Sequence, residues 1–309
     1  EEAETEKDQI IGTYKDICET FLALPSLIGK KTEKEKFAGA EYTISMEFLM
    51  PNGKAIQGPD FHHDGQKFAK AYNIEFLDKE GKKQYAWQNT FAITTRMLGV
   101  MFAIHSDSKG LILPPNIAPN QVVIVPILFD DSKEKVLKIA REIESLWNSG
   151  VLLDDREEYK PGYKFNEWEL KGIPLRIEIG PKDLEAKKVI LVRRDNGKKE
   201  TVAIKDLKKK VSASLAEIQD NLFSRAKKLL DESIIKANDL KEIKKTIENK
   251  KIALAPLCNS TQCEENLKSE TQGAKVLNIP EQQPKELAKA KCAVCNSKAN
   301  YFAYIGKSY

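Results

Sequence analysis

A chain of 309 residues, 41% hydrophobic and 31% charged, is long enough for two or three domains with their own cores. A net charge of +4 is too mild to mark a nucleic-acid binder by charge alone. No apolar run approaches the roughly 20 residues that span a bilayer, and no secretory signal opens the chain. Five cysteines, few and clustered, suit a reducing cytosol with a metal site better than a disulfide framework, so a cytoplasmic, membrane-free protein is expected. The opening EEAETEKDQI lacks Met and is already in helical pattern, which reads as a segment of a longer protein.

Residues 5–24 are predicted helical, with Ile10, Tyr14, Ile17 and Leu22 near helical spacing and Pro25 as the stop; Cys18 falls on the apolar face as a buried structural thiol. Lys30 to Ala40 is a charged loop. Glu41–Met50 and Lys54–Gln57 flank Pro51-Asn52-Gly53, a hairpin signal. Asn73–Leu77 and Gln84–Thr95 form a second expected antiparallel pair around Lys79-Glu80-Gly81. A helix then starts at Arg96 with Leu98, Met101 and Phe102 in its core.

Gln121 to Leu128 is an apolar run typical of a strand buried on both faces. Ser132 opens a helix with Val136, Ile139, Ala140, Ile143 and Leu146 inside, ended by Gly150, and Val151–Leu153 begins another strand. Pro161-Gly162 is a turn pair, and Gly172-Ile173-Pro174 breaks a helix and launches a strand. In that strand Leu175, Ile177 and Ile179 alternate with Arg176 and Glu178, predicting one buried face; Val189–Val192 is the next strand. The expected result is an α/β layer with a mixed sheet.

Lys205 to Leu230 reads as a long amphipathic helix striped by Val211, Leu215, Ile218, Leu222 and Leu229; clear heptads for a coiled coil are lacking. Residues 182–251 carry a net +8, either as solvated helix faces or as an RNA-facing flank. A helix over Leu240–Ile247 and a strand over Ile252–Leu257 lead to Cys258-x4-Cys263 and Cys292-x2-Cys295. Two such knuckles suit a tetrahedral, structural Zn2+ site, with disulfides or free thiols as the alternatives. The segment between them is too polar to fold around a core of its own, so bound metal would pin it.

The run Asp154-Asp155-Arg156, Pro161-Gly162, Lys164-Phe165, Trp168-Glu169, Gly172, Pro174, Arg176, Glu178, Gly180-Pro181, Asp183 and Arg193-Arg194 resembles the anticodon-binding domain of prolyl-tRNA synthetases of the eukaryote- and archaeon-like type. The likeness extends from about Glu1 to Tyr309. It implies the end of a class II antiparallel-sheet catalytic domain over 1–117, an α/β anticodon-binding domain over 118–204, and a linking helix with a small zinc-binding domain over 205–309. Ile93-Thr94-Thr95-Arg96 through Pro114-Pro115 matches the third class motif. By that resemblance Arg96 is the catalytic clamp on ATP, Thr94 and Gln57 line the ATP site, and Phe37, His62 and Phe91 stand by proline. Lys164, Glu169 and Arg193 have the chemistry for anticodon bases, with an internal salt-bridge network as the alternative. Glu169 could accept from guanine amino groups. The implied reaction is activation of L-proline with ATP and Mg2+, then transfer to tRNA(Pro), by a homodimer. The end Gly306-Lys307-Ser308-Tyr309 resembles a family terminus that folds back toward the catalytic domain.

Some residues depart from that pattern. Asp60 stands where a small hydroxyl residue is usual, Pro59 removes a donor, Asp64 adds a carboxylate, Phe91 replaces Trp and Ser106 replaces Gly. Two unpaired acids near a triphosphate are repulsive. No part of the chain resembles the first two class motifs. These departures frame a second reading, a synthetase-derived tRNA-binding or regulatory protein with altered catalysis.

Overall fold

A computed structural model describes residues 2–309. The first stretch runs α1 (Glu2–Asp16), a π-turn (Ile17–Phe21), β1 (Leu27–Lys30), β2 (Tyr42–Leu49), β3 (Ala55–Gly65), α2 (Lys67–Tyr72), β4 (Glu75–Leu77), β5 (Lys83–Tyr85), β6 (Gln88–Ala92) and α3 (Arg96–His105). The middle holds β7 (Val122–Pro126), α4 (Lys133–Glu144), β8 (Val151–Leu153), α5 (Pro161–Lys171), β9 (Leu175–Ile179), α6 (Pro181–Glu185), β10 (Lys188–Arg193), β11 (Lys199–Ala203) and α7 (Leu207–Ser233). The last stretch is β12 (Ile234–Lys236), α8 (Leu240–Glu248), β13 (Ile252–Leu257), α9 (Thr261–Glu270), β14 (Lys275–Pro280) and β15 (Tyr301–Gly306).

These elements form two compact units. One comprises the chain up to Cys18, Leu24–Val100 and Lys227–Tyr309. The other comprises Glu19–Ala23 and Met101–Ala226.

The first unit is built on an eight-stranded sheet in the order β12-β13-β15-β14-β1-β2-β3-β6. β1 bridges strands from opposite ends of the sequence: it pairs antiparallel with β2 (Ile28 opposite Met46) and with β14 (Lys30 opposite Ile279). Lys30, expected to open the charged loop, is instead the last residue of β1. The β2–β3 hairpin forms as expected; Met50 N–H donates to Lys54 O at 2.9 Å and Gly53 takes φ +83. β3 runs beyond Gln57 to Gly65 because both its edges are paired, by β2 and by β6. The single strand expected over 84–95 divides instead. Lys83–Tyr85 pairs with β4 in a separate hairpin, while Gln88–Ala92 turns back onto β3. In α3, Met97, Val100 and Met101 are buried, whereas Leu98 is 44% exposed and lies off the core face.

The segment between the cysteine pairs is not held by those cysteines alone. It supplies α9 and β14, which bury Leu267, Val276 and Leu277. The polarity that argued against a core belongs to residues around these three. The C-terminus folds back: Ala55 N–H donates to Lys307 O at 2.7 Å, Tyr309 N–H to Ala55 O at 3.2 Å, and Asn52 Nδ2 to the Tyr309 hydroxyl at 2.6 Å.

The second unit is an α/β layer with the mixed sheet β11-β10-β9-β7-β8. β7 runs parallel to β8 and β9; β10 is antiparallel to β9 and β11. Its core gathers Val122 and Ile124 of β7, Val136, Ala140 and Ile143 of α4, Leu175, Ile177 and Ile179 of β9, and Val211, Ile218 and Leu222 of α7. Leu229, placed on that helix stripe by spacing, is 42% exposed; Ala226 and Leu230 are the buried residues of that turn. Leu146 is likewise exposed. Pro161-Gly162 opens α5 rather than a turn, since Pro at the first helical position loses no needed N–H. Gly172 ends that helix at φ +77, where an added Cβ would lie 2.7 Å from Leu111.

Candidate functional site

Three clusters concentrate the titratable groups. The first lies on β2, β3 and the start of α3. The Arg96 guanidinium donates from Nη1 to the Gln57 carbonyl at 3.0 Å, and both Arg96 and Thr94 are exposed. Gln57 Nε2 donates to Asp60 Oδ2 at 2.8 Å. The same oxygen stands 3.5 Å from His62 Nε2, while His62 Nδ1 meets the Thr43 hydroxyl at 2.8 Å. The Phe37 ring lies 5.1 Å from the His62 ring, centroid to centroid. Phe91 stacks on Phe61 at 6.0 Å with the rings 3° from parallel, on the strand flanking these groups. Of the acids that looked unpaired in the sequence, Asp60 is thus partnered, and buried Asp64 accepts from Thr90 at 2.6 Å. A buried pair, Lys31 Nζ with Glu47 Oε1 at 2.6 Å, lies beside them with the Ser45 hydroxyl donating to the same oxygen.

The second cluster is a cleft of about 240 Å³ in the α/β unit, lined by Asp107, Trp168, Glu169, Arg176, Arg193 and Asp195 among others. Glu169 faces Arg176 at 3.5 Å and Lys109 at 3.8 Å. Arg193 is clamped by Asp195 at 2.8 Å and Glu217 at 2.6 Å. Arg176 and Glu178, expected on a solvent face of β9, are buried and bonded at 2.8 Å; β9 is covered on both faces, and Arg176 also sits 4.2 Å from the Phe165 ring centroid. Arg194 forks onto Asp107 at 2.8 and 2.6 Å and donates to the Glu169 carbonyl at 2.9 Å. That guanidinium holds the Asp107 carboxyl down at about 2.

Lys164 stands apart from the cleft. It is buried, donating to the Asp154 carbonyl at 2.9 Å with its ammonium 3.5 Å from the Asp154 carboxylate. Burial alone would push Asp154 up, but the Arg156 fork, the Trp168 indole N–H and the Lys164 charge hold it at about 2. Glu169 and Arg193 therefore come together, and Lys164 closes the loop behind them. Arg176 and Asp195 were missed as cleft residues; the turn Asp195-Asn196-Gly197, with Gly197 at φ +70, was the available signal for the cleft rim.

The third cluster is Cys258, Cys263, Cys292 and Cys295, whose Sγ atoms all lie within 4.8 Å of one another. The Cys258 Sγ is 3.5 Å from that of Cys263 and 3.7 Å from that of Cys295. A tetrahedral Zn2+ with S ligands at about 2.3 Å puts its sulfurs about 3.8 Å apart, so the donor set fits the metal. None of the five cysteines is in a disulfide. The Ser297 hydroxyl, 2.9 Å away, pulls the Cys295 thiol down to about 6, while burial pushes Cys292 up. With four thiolates there is no open position for water, so the cluster can hold a fold together and has no site for hydrolysis.

Residues 121–214 match the family model described as the anticodon binding domain, and residues 240–309 match the model described as prolyl-tRNA synthetase, C-terminal. Over its whole length the chain is 41% identical to a proline–tRNA ligase of Oceanobacillus iheyensis, 43% to proline–tRNA ligase 2 of Bacillus cereus and 42% to a proline–tRNA ligase of Clostridium botulinum. The chain thus carries an anticodon-binding domain and a prolyl-tRNA synthetase C-terminal domain, consistent with a C-terminal portion of such a synthetase. It spans 64% of the length of these curated relatives. Among the described residues no helix is long and apolar enough to cross a membrane.

Proposed function

We infer that the full-length protein carrying this chain is a proline–tRNA ligase of the cytoplasm, acting on L-proline, ATP as its Mg2+ complex, and tRNA(Pro), as a homodimer. In the first step a proline carboxylate oxygen bonds to the α-phosphorus; the α–β bridging bond breaks and its electron pair leaves with pyrophosphate. In the second, a hydroxyl of the terminal tRNA ribose bonds to the acyl carbon, AMP leaves with the electron pair, and the hydroxyl proton passes to solvent. Arg96, anchored through one nitrogen to the Gln57 carbonyl, keeps its remaining N–H groups for phosphoryl oxygens, where a fixed fork stabilises charge built up in the transition state. Thr94 and Gln57 line the nucleotide. Phe37, His62 and Phe91 wall the proline side. Glu169 and Arg193 face the anticodon from a cleft whose polar lining suits splayed bases. Zn2+ on the four thiolates is structural.

The observation that carries this reading is similarity to proline–tRNA ligases along the whole chain, at 41–43% identity. Asp60 favours the second reading, a tRNA-binding or regulatory protein without activation, because it sets a carboxylate near the proposed triphosphate position where the resembled pattern has a neutral hydroxyl. Proline-dependent ATP–pyrophosphate exchange on the full-length protein separates the two. Exchange that drops by at least about 100-fold in Arg96→Ala, the loss expected for a transition-state charge contact, supports the ligase. Absent exchange with tRNA binding intact selects the second reading.

A further inference from the structure

We propose that Asp60 is a positioning residue of the aminoacylation site: one carboxylate sets the side-chain amide of Gln57 and selects the Nε2–H form of His62, tying the nucleotide side to the amino-acid side. The proposal deepens the ligase reading and rests on it for its functional meaning.

The register places the partners together. Thr43 lies opposite His62 and Ser45 opposite Asp60 across β2 and β3, so Asp60 and His62, two residues apart, share one face of the sheet. A carboxylate can only accept, so the Gln57 group at 2.8 Å from Asp60 Oδ2 is its NH2 and the amide carbonyl is turned away. The Gln57 backbone carbonyl in turn holds Arg96.

The His62 side follows from the groups at its two ring nitrogens. The Thr43 hydroxyl accepts from Phe37 N–H at 3.2 Å and still has both a proton and a second lone pair to offer His62 Nδ1 at 2.8 Å, so it accommodates either ring form and leaves the choice to the group beside Nε2. That group is Asp60 Oδ2, 3.5 Å from Nε2, and an anionic oxygen there favours the hydrogen on Nε2 with Nδ1 as the acceptor. In the opposite tautomer a ring lone pair would face an anionic oxygen, which is repulsive. A neutral hydroxyl at position 60, as the resembled pattern has, would donate as readily as accept and would leave the tautomer unselected. Arg96, Gln57, Asp60, His62, Thr43 and Phe37 are thus one continuous chain of contacts. The Asp60 side chain keeps 22% exposure, so its charge is not stranded in a dry interior.

Two readouts on the full-length protein test this. The first is steady-state pyrophosphate exchange in Asp60→Ser and Asp60→Asn. Asp60→Ser should raise the proline KM about tenfold, the size of one lost charge-assisted bond, and the ATP KM by a smaller factor as the Gln57 amide is released, with the melting temperature unchanged. Asp60→Asn keeps an acceptor for Gln57 and should fall between. The second is the imidazole 15N spectrum, with the His62 signals assigned by their loss in His62→Gln. His62 should be a single Nε2–H species in the parent and a tautomer mixture in Asp60→Ser. A proline KM unmoved by Asp60→Ser, or a loss shared equally by both substrates with a lowered melting temperature, overturns the proposal. Should the parent protein show no exchange at all, the ligase reading fails, and the spectrum still decides: an unchanged His62 pattern in Asp60→Ser sinks the role of Asp60, and a changed one supports it.

Discussion

Glu264, the residue after Cys263, accepts a hydrogen bond from the Thr32 hydroxyl at 3.0 Å. Thr32 follows Lys31 of the Lys31–Glu47 pair just beyond β1, so the helix that carries Cys263 is bonded to the segment leaving β1. Burial pushes the Glu264 carboxyl up while the Thr32 bond opposes it. The β14–β1 ladder runs alongside.

Removing metal with a chelator should therefore do more than loosen residues 251–309. Amide exchange should quicken in α9, in β13 to β15 and also in β1, while β7 to β11 keep their protection, because that sheet has its own core. Loosening confined to 251–309 would show that the ladder holds without metal. Unchanged proteolysis of that segment would falsify the structural role of Zn2+.

His105 should make stability sensitive to pH. It is buried, with Nε2 2.9 Å from the Leu22 carbonyl; burial lowers its pKa, the carbonyl bond opposes this, and the Arg225 charge adds to the lowering. The folded value lies below the unfolded value of about 6.5. The unfolded chain thus binds the proton first, and stability is full above about 6.5 and falls as the pH drops below it, by at most about 1.4 kcal/mol per pH unit. Thermal melting between pH 8 and 5 should be steeper for the parent than for His105→Gln. Equal slopes would remove His105 as the cause.

Glu169 gives a way to separate tRNA reading from activation. Glu169→Gln should lower kcat/KM for tRNA(Pro) aminoacylation about tenfold, in the range of one base-edge contact, with pyrophosphate exchange within about twofold. Its salt-bridge partners Arg176 and Lys109 make a melting control necessary. Parallel loss of both activities would mean that Glu169 only orders the loop.

The α/β unit was largely legible because its cues are local. The apolar run of β7 and the 3.6-residue stripe of α4 each report their own burial. The four cysteines were legible for the same reason, as two short spacings. Lys164 was not. Its charge reads as available for RNA, and only the closure of the loop onto Asp154, ten residues earlier, shows it is occupied. Arg176 and Glu178 misled in a similar way, since alternation suggests a wet face and only tertiary cover shows two charges facing each other. The pairing of β1 with β14 left no local mark at all; Leu27–Lys30 is four residues of ordinary composition whose partner is remote.

That remoteness bears on how the molecule is made. Lys30 and Ile279 are neighbours in one sheet although about 250 residues separate them, and the entire Met101–Ala226 part of the α/β unit is translated between them. On a ribosome the intervening unit, with its own core, can fold while β1 still waits with an open edge, and an open edge is what recruits wrong partners. The strand that covers that edge is synthesised about 250 residues after it, so the larger sheet stays unfinished throughout that interval.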